Sequence, residues 1–232
     1  MSRISIVLAT FILMLTFGPA THGISECKNE TIMLPVSPMK AASKPRDFIS
    51  FKYAMSTSDS ILIQSHEDTE TTIGPYDLGF LIRHDGRTVR SVSLQKLSEF
   101  RREDSFFSEA FMTVAVSSAC TNGKVVYFVT MKYMGDEISP ALVFVIVPSP
   151  QGYKVSALPM FSGGTVEVSK TNPYSLRVWD NLHEGECNAC ETAYQITEYE
   201  IRDGKPIRTK RHRTRHLYSS GQFEDSRIRF IP

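Results

Sequence analysis

The chain has 232 residues, and its 14 Phe, 9 Tyr and 1 Trp are too many large apolar groups for a disordered protein. Thirteen Gly and twelve Pro without a repeat exclude a collagen-like or low-complexity chain. Lys+Arg 26 against Asp+Glu 25 leaves a formal charge of +1, so no overall field draws the molecule to nucleic acid or to a membrane.

Residues 1–23 read as a secretory signal peptide. Arg3 supplies the positive start, Ile4–Phe17 is an uncharged and largely apolar run, and Gly18-Pro19 precedes the small residues Ala20 and Gly23. That run is shorter than the roughly 20 residues a membrane-spanning helix needs. Loss of Arg3 makes the mature chain formally neutral. The expected location is secreted or periplasmic, with no transmembrane segment in the mature chain.

Residues 24–50 carry Pro35, Pro38 and Pro45 and are expected to form an irregular N-terminal segment, with an Asn29-Glu30-Thr31 glycosylation sequon. Residues 51–232 are expected to form a single antiparallel β domain. His66-Glu67-Asp68 reads as a solvated loop, because neighbours on a strand point to opposite faces. Leu78–Arg83 and Thr88–Leu94 flank Asp85-Gly86, a two-residue hairpin signal, since Gly accepts positive φ. Leu94–Arg102 has spacing that suits a turn or two of helix, or a loop. Phe111–Ser118 and Lys124–Lys132 flank Asn122-Gly123, the same device. Ala141–Val147 is a continuous apolar run, followed by candidate strands at Tyr153–Leu158, Thr165–Ser169 and Ser175–Asp180. Ala193–Ile201 and Ile207–His216 flank a third turn at Asp203-Gly204. The expected fold class is therefore all-β, an antiparallel hairpin-rich sandwich or barrel-like domain; a small propeller fits the strand spacing too, although no repeat is visible.

The four cysteines, Cys27, Cys120, Cys187 and Cys190, all follow the signal peptide, and an even count in an exported chain reads as two disulfides. The Cys187-x-x-Cys190 spacing suits a local bridge, which would leave Cys27 for Cys120; three pairings are open in principle. A redox pair fits poorly, because Glu184, Glu186 and Glu191 would raise a thiol pKa. A zinc site using His183, Cys187 and Cys190 lacks a fourth ligand at the usual spacing. No metal and no cofactor is expected.

The most unusual local feature is a reversal of charge. Asp180 to Glu200 holds six acids and no Lys or Arg, whereas Arg202 to Arg215 holds seven bases and one acid. Taken alone, Arg208, Lys210, Arg211, Arg213 and Arg215 suggest a strip for heparin, nucleic acid or anionic lipid. The Asp203-Gly204 turn, however, folds this strand against the acidic one. Self-compensation is expected, together with protection of a sheet edge by charged side chains, with replacement of the five bases by Ser leaving retention on a heparin column unchanged. Trp179, the only tryptophan, is expected in the core, or else as part of a recognition surface with His183.

No Gly-x-Ser-x-Gly elbow, His-Glu-x-x-His, phosphate loop or dinucleotide fingerprint occurs, and no catalytic residue can be named. The first reading is an exported, non-enzymatic binding or structural module of unknown ligand, its partner open between a protein and a polyanionic glycan. The second is a secreted hydrolase whose acids and histidines converge only in three dimensions.

Overall fold

The computed structural model describes residues 30–33, 36–39, 48–66, 72–73, 79–94, 112–133, 140–182, 190–219 and 228–230. The proposed signal peptide, the sequon Asn29 and residues 95–102 of the helix-or-loop stretch lie outside them. In chain order the strands are β1 (Glu30–Met33), β2 (Val36–Met39), β3 (Phe48–Ala54), β4 (Asp59–His66), β5 (Thr72–Ile73), β6 (Gly79–His84) and β7 (Arg87–Ser93). The middle of the chain forms β8 (Met112–Thr121), β9 (Lys124–Tyr133), β10 (Pro140–Ser149), β11 (Gly152–Ala157) and β12 (Phe161–Ser162). The last five are β13 (Val166–Val168), β14 (Ser175–Asn181), β15 (Tyr194–Arg202), β16 (Lys205–Arg213) and β17 (Arg229–Phe230). No element is a helix among the described residues.

The three two-residue turns are where the sequence puts them. Asp85-Gly86, Asn122-Gly123 and Asp203-Gly204 each hold two successive residues at positive φ, from 47° to 77°. That geometry matches the right-handed twist of the flanking strands, which is why Asp or Asn followed by Gly closes all three hairpins.

The strands form three open sheets rather than a closed barrel. A central sheet runs β1-β8-β9-β10-β11, with β12 beside β10 and β5 beside β8. One flanking sheet runs β2-β3-β4-β6-β7, the other β16-β15-β14-β13-β17. All pairings are antiparallel except β13 with β17, which run parallel. The segment expected to be irregular contains β1 and β2, which join different sheets on either side of Pro35. Pro38 is accommodated in β2 because that strand lies at a sheet edge.

Two hydrophobic cores sandwich the central sheet. Phe51, Ile61, Ile63, Phe80 and Ile82 of the first flanking sheet pack with Val114, Val129, Leu142, Phe144 and Ile146 of the central one. On the opposite face Val126, Phe128, Val143, Val145 and Val147 pack with Val166, Val168, Leu176, Val178, Tyr199 and Ile201. The apolar run of β10 is thereby explained: its even residues face one core and its odd residues the other, so a polar residue at any position would be buried. Leu94, the residue after β7, is fully buried in the first core.

Candidate functional site

The last hairpin begins at the Asp203-Gly204 turn, which docks on β11 at the rim of the central sheet. The Ser156 hydroxyl donates to the Gly204 carbonyl at 2.7 Å, and Lys154 Nζ lies 3.9 Å from Asp203 Oδ1. A Cβ on Gly204 would stand 2.4 Å from the Lys154 side chain, so only Gly both fits there and adopts the positive φ of the turn.

From that turn β15 runs back through the sheet with Tyr199 and Ile201 in the second core, whereas β16 is the outermost strand. β16 carries Arg208, Lys210, Arg211 and Arg213, and all are exposed, as is Arg215 just beyond it. Exposure of consecutive residues means that neither face of this strand is covered.

The pairing of the two strands is interrupted between Glu198 and Tyr199. Glu198 opposes Lys210 but Tyr199 opposes Arg208, which leaves Thr209 as the extra residue of a β-bulge. The Thr209 hydroxyl donates to the Glu198 carbonyl at 3.2 Å, supplying a partner where the ladder is broken. One inserted residue reverses the face on which every later side chain falls. Arg208, Arg211 and Arg213 therefore stand opposite Tyr199, Thr197 and Gln195, on the face that looks inward. Lys205, Ile207, Lys210 and His212 share the outward face with Glu198 and Glu200. Tyr199 senses this sorting: burial raises its phenol pKa, and the charges of Arg208 and Arg211 partly offset the rise, while Asp180 adds to it.

The expected opposition of charges is present where Glu198 faces Lys210, but no ion pair within 4 Å joins these two residues. Glu198 is engaged by Arg177 of β14 at 3.8 Å, and Glu200 by Arg202 of its own strand. Arg177 also lies 3.5 Å from Glu167. Across the sheet the outward row Arg229, Glu167, Arg177, Glu198, Lys210 alternates in sign. Among the described residues, no ion pair within 4 Å involves Arg208, Lys210, Arg211 or Arg215. The physical reason is threefold: Arg177 of β14 reaches Glu198 from the other side, Arg202 of β15 itself takes Glu200, and the bulge sends the arginines to the face where β15 carries no acid.

Trp179 is neither in a core between sheets nor a bare surface ring. It sits half-buried on the outward face, with Nε1 donating to Glu167 Oε2 at 2.8 Å. Its ring meets Tyr194 and Tyr218 edge-on, with centroids 6.0 and 5.9 Å apart. This aromatic trio buries Tyr194 completely on the outward face, where Ile196, opposite Trp179, is buried as well. His183, Cys187 and Cys27 lie outside the described residues. Neither Cys120 nor Cys190 is a free thiol. Cys120 is buried near the end of β8, opposite Glu30 of β1.

A second constellation has no counterpart in the sequence reading. Asp59, the first residue of β4, is cross-strand partner to His84, the last residue of β6. Its carboxylate side chain is only 3% exposed and lies 2.9 Å from His84 Nδ1, with the Ser56 and Ser58 hydroxyls donating to the other oxygen at 2.8 and 3.3 Å. Tyr153 of β11 donates to it from the central sheet. Burial alone would raise the Asp59 pKa, but the hydrogen bonds from Ser56, His84 and Tyr153 outweigh it and hold the carboxyl below its ordinary value. The hydrogen bond and charge of Asp59, with Asp85, raise His84; burial and the Asp59 charge raise Tyr153. The imidazole Nε2 is turned to Asp85 Oδ2 at 3.4 Å, and both serines lie at the carboxylate end. Among the described residues no nucleophile is therefore aligned with this histidine in the order a hydrolytic triad requires. What the cluster does do is clamp: Asp85 N–H donates to the Ser58 carbonyl at 2.9 Å, so two hairpin turns and β11 are held around one carboxylate. Its two halves are 25 residues apart, and Ser56-x-x-Asp59 is its one local signal.

Among the described residues no helix is long and apolar enough to cross a membrane, and no three His, Cys, Asp or Glu cluster as metal ligands. Compared with models of known protein families, with curated proteins and with solved structures, the chain matches none.

Proposed function

We propose that the protein is an exported, non-enzymatic β module that binds a polyanionic partner along its outer basic strand. One observation carries the reading: β16 presents Arg208, Lys210 and Arg211 exposed, and no described carboxylate lies within ion-pair distance of them. Unlike charges held in ion pairs, these remain solvated and available to an external anion. Export rests on the leader-like residues 1–23. In this reading Cys187 bridges Cys190 and Cys27 bridges Cys120. It is supported by the absence of free thiols at Cys120 and Cys190, and by β1, which brings the chain just after Cys27 alongside Cys120.

The test is retention on a heparin column at neutral pH. Replacing Arg208, Lys210, Arg211, Arg213 and Arg215 together by Ser should lower the eluting salt concentration markedly while the far-ultraviolet spectrum stays that of the parent. Unchanged elution would restore self-compensation and remove the binding strand.

A further inference from the structure

We propose that the inward face of β16 is a sulfate-reading face: Arg208, Arg211 and Arg213, sorted onto one side by the bulge at Thr209, recognise a linear sulfated glycan. This rests on the polyanion reading above and narrows it to one face, one side-chain chemistry and one ligand class.

The argument starts from what the bulge does to the order of charges. In an uninterrupted strand Arg211 and Arg213 would share a face with Thr209, Ile207 and Lys205, and Arg208 would lie with Lys210 and His212. Both faces would then mix charge types. With Thr209 extruded, the three guanidiniums stand on one side and the two lysines on the other. Guanidinium is planar and presents two parallel N–H donors that match two oxygens of one sulfate, whereas an ammonium acts as a point charge. Arg211 and Arg213 are two residues apart, about 7 Å along the strand, and Arg208 continues the row beyond the bulge. A row of forked donors at regular spacing fits a polymer with anionic groups at regular spacing.

Other occupants fit less well. An acidic peptide adding a further strand would need a straight edge, yet a bulge and a run of charged side chains are the features by which sheet edges refuse new strands. Single-stranded nucleic acid binds through exposed aromatic rings beside its basic groove. The aromatic ring on the inward face is Tyr199, which is buried. An anionic membrane calls for apolar groups among the bases; the exposed Ile207 lies on the opposite, lysine-bearing face.

The test uses the full secreted chain, a size-defined heparin oligosaccharide and isothermal titration. The triple variant Arg208→Lys, Arg211→Lys, Arg213→Lys keeps the charge and removes the forks. Binding should weaken about fivefold, the order expected when paired donors are replaced by point charges. Lys205→Ser with Lys210→Ser, on the outward face, should weaken it less than twofold. Deletion of Thr209 takes out the extra residue but keeps Arg208 opposite Tyr199 and Lys210 opposite Glu198, so the arginine row survives and binding should stay close to that of the parent; the circular dichroism of each variant confirms its fold. Equal affinity of the arginine and lysine forms overturns the sulfate-reading face while leaving the basic strand as a polyanion binder. Tighter binding of the parent to single-stranded oligonucleotide or to phosphatidylserine vesicles, at matched salt, overturns the glycan assignment. No binding of heparin by the parent protein removes both proposals.

Discussion

Strands β10 and β16 are of similar length and sit in the same chain, yet they occupy opposite extremes. Pro140–Val147 of β10 is buried at every residue, on both faces. β16 is exposed at every residue but the half-covered Pro206. The difference lies in position within the layers: β10 is the spine of the central sheet, covered by a flanking sheet on each side, and β16 is the last strand of an outer sheet. The lesson is that strand sequence follows environment on both faces, so two strands can share a backbone conformation and almost no chemistry. A mutation in β10 is a test of stability; one in β16 is a test of the proposed binding.

The largest expected effect is at the spine. Phe144 is fully buried and meets Phe80 edge-on at 5.2 Å, so Phe144→Ala should lower unfolding free energy by about 3–5 kcal/mol, read as a shift of the urea midpoint. A loss under about 1 kcal/mol would mean that this face of the central sheet is not packed as described.

A smaller loss is expected at the clamp that ties the first flanking sheet to β11. Asp59→Ala leaves the Ser56 hydroxyl and the Tyr153 phenol without their acceptor, and should cost about 2–3 kcal/mol at pH 5–6. The pH dependence has a definite sign. Asp59 titrates below its ordinary 3.8, so its contribution is complete above that value and disappears as pH falls through the lowered pKa. His84 titrates above its ordinary 6.5, so its contribution is complete below 6.5 and disappears as pH rises through the raised pKa. The stability difference between parent and Asp59→Ala should therefore be greatest between these ordinary values and shrink on either side. A difference that is flat in denaturation midpoints from pH 3 to pH 9 would show that the pair does not titrate as a unit.

The smallest effect belongs to the edge. Arg211→Ser should change stability by less than about 0.5 kcal/mol, because an exposed base without an ion pair contributes little to the fold. Thermal melting of that variant beside Phe144→Ala gives the comparison in one experiment. An Arg211→Ser loss approaching that of the core variant would mean that β16 serves the fold and not a ligand.

Much of the fold was legible because its signals are local. Asp85-Gly86, Asn122-Gly123 and Asp203-Gly204 announce their hairpins, since few residues other than Gly, Asn and Asp accept positive φ. The unbroken Ala141–Val147 run marks a strand with no solvent face, although the three layers that make it so depend on which hairpins stack. The candidate surface was legible only as composition. Counting bases locates β16, but their division between two faces depends on one bulged residue, and the fate of Glu198 depends on Arg177 in a different strand. The Asp59–His84 pair was not legible at all, because neither residue carries a local pattern that refers to the other.

Alternation, turn chemistry and charge order therefore settled that this chain is built from antiparallel hairpins with a basic segment near its end. Sheet stacking, the bulge at Thr209 and the meeting of Asp59 with His84 were decided only in three dimensions. Hairpin formation depends on backbone preferences of adjacent residues, whereas register and layer contacts depend on which distant surfaces exclude water from each other.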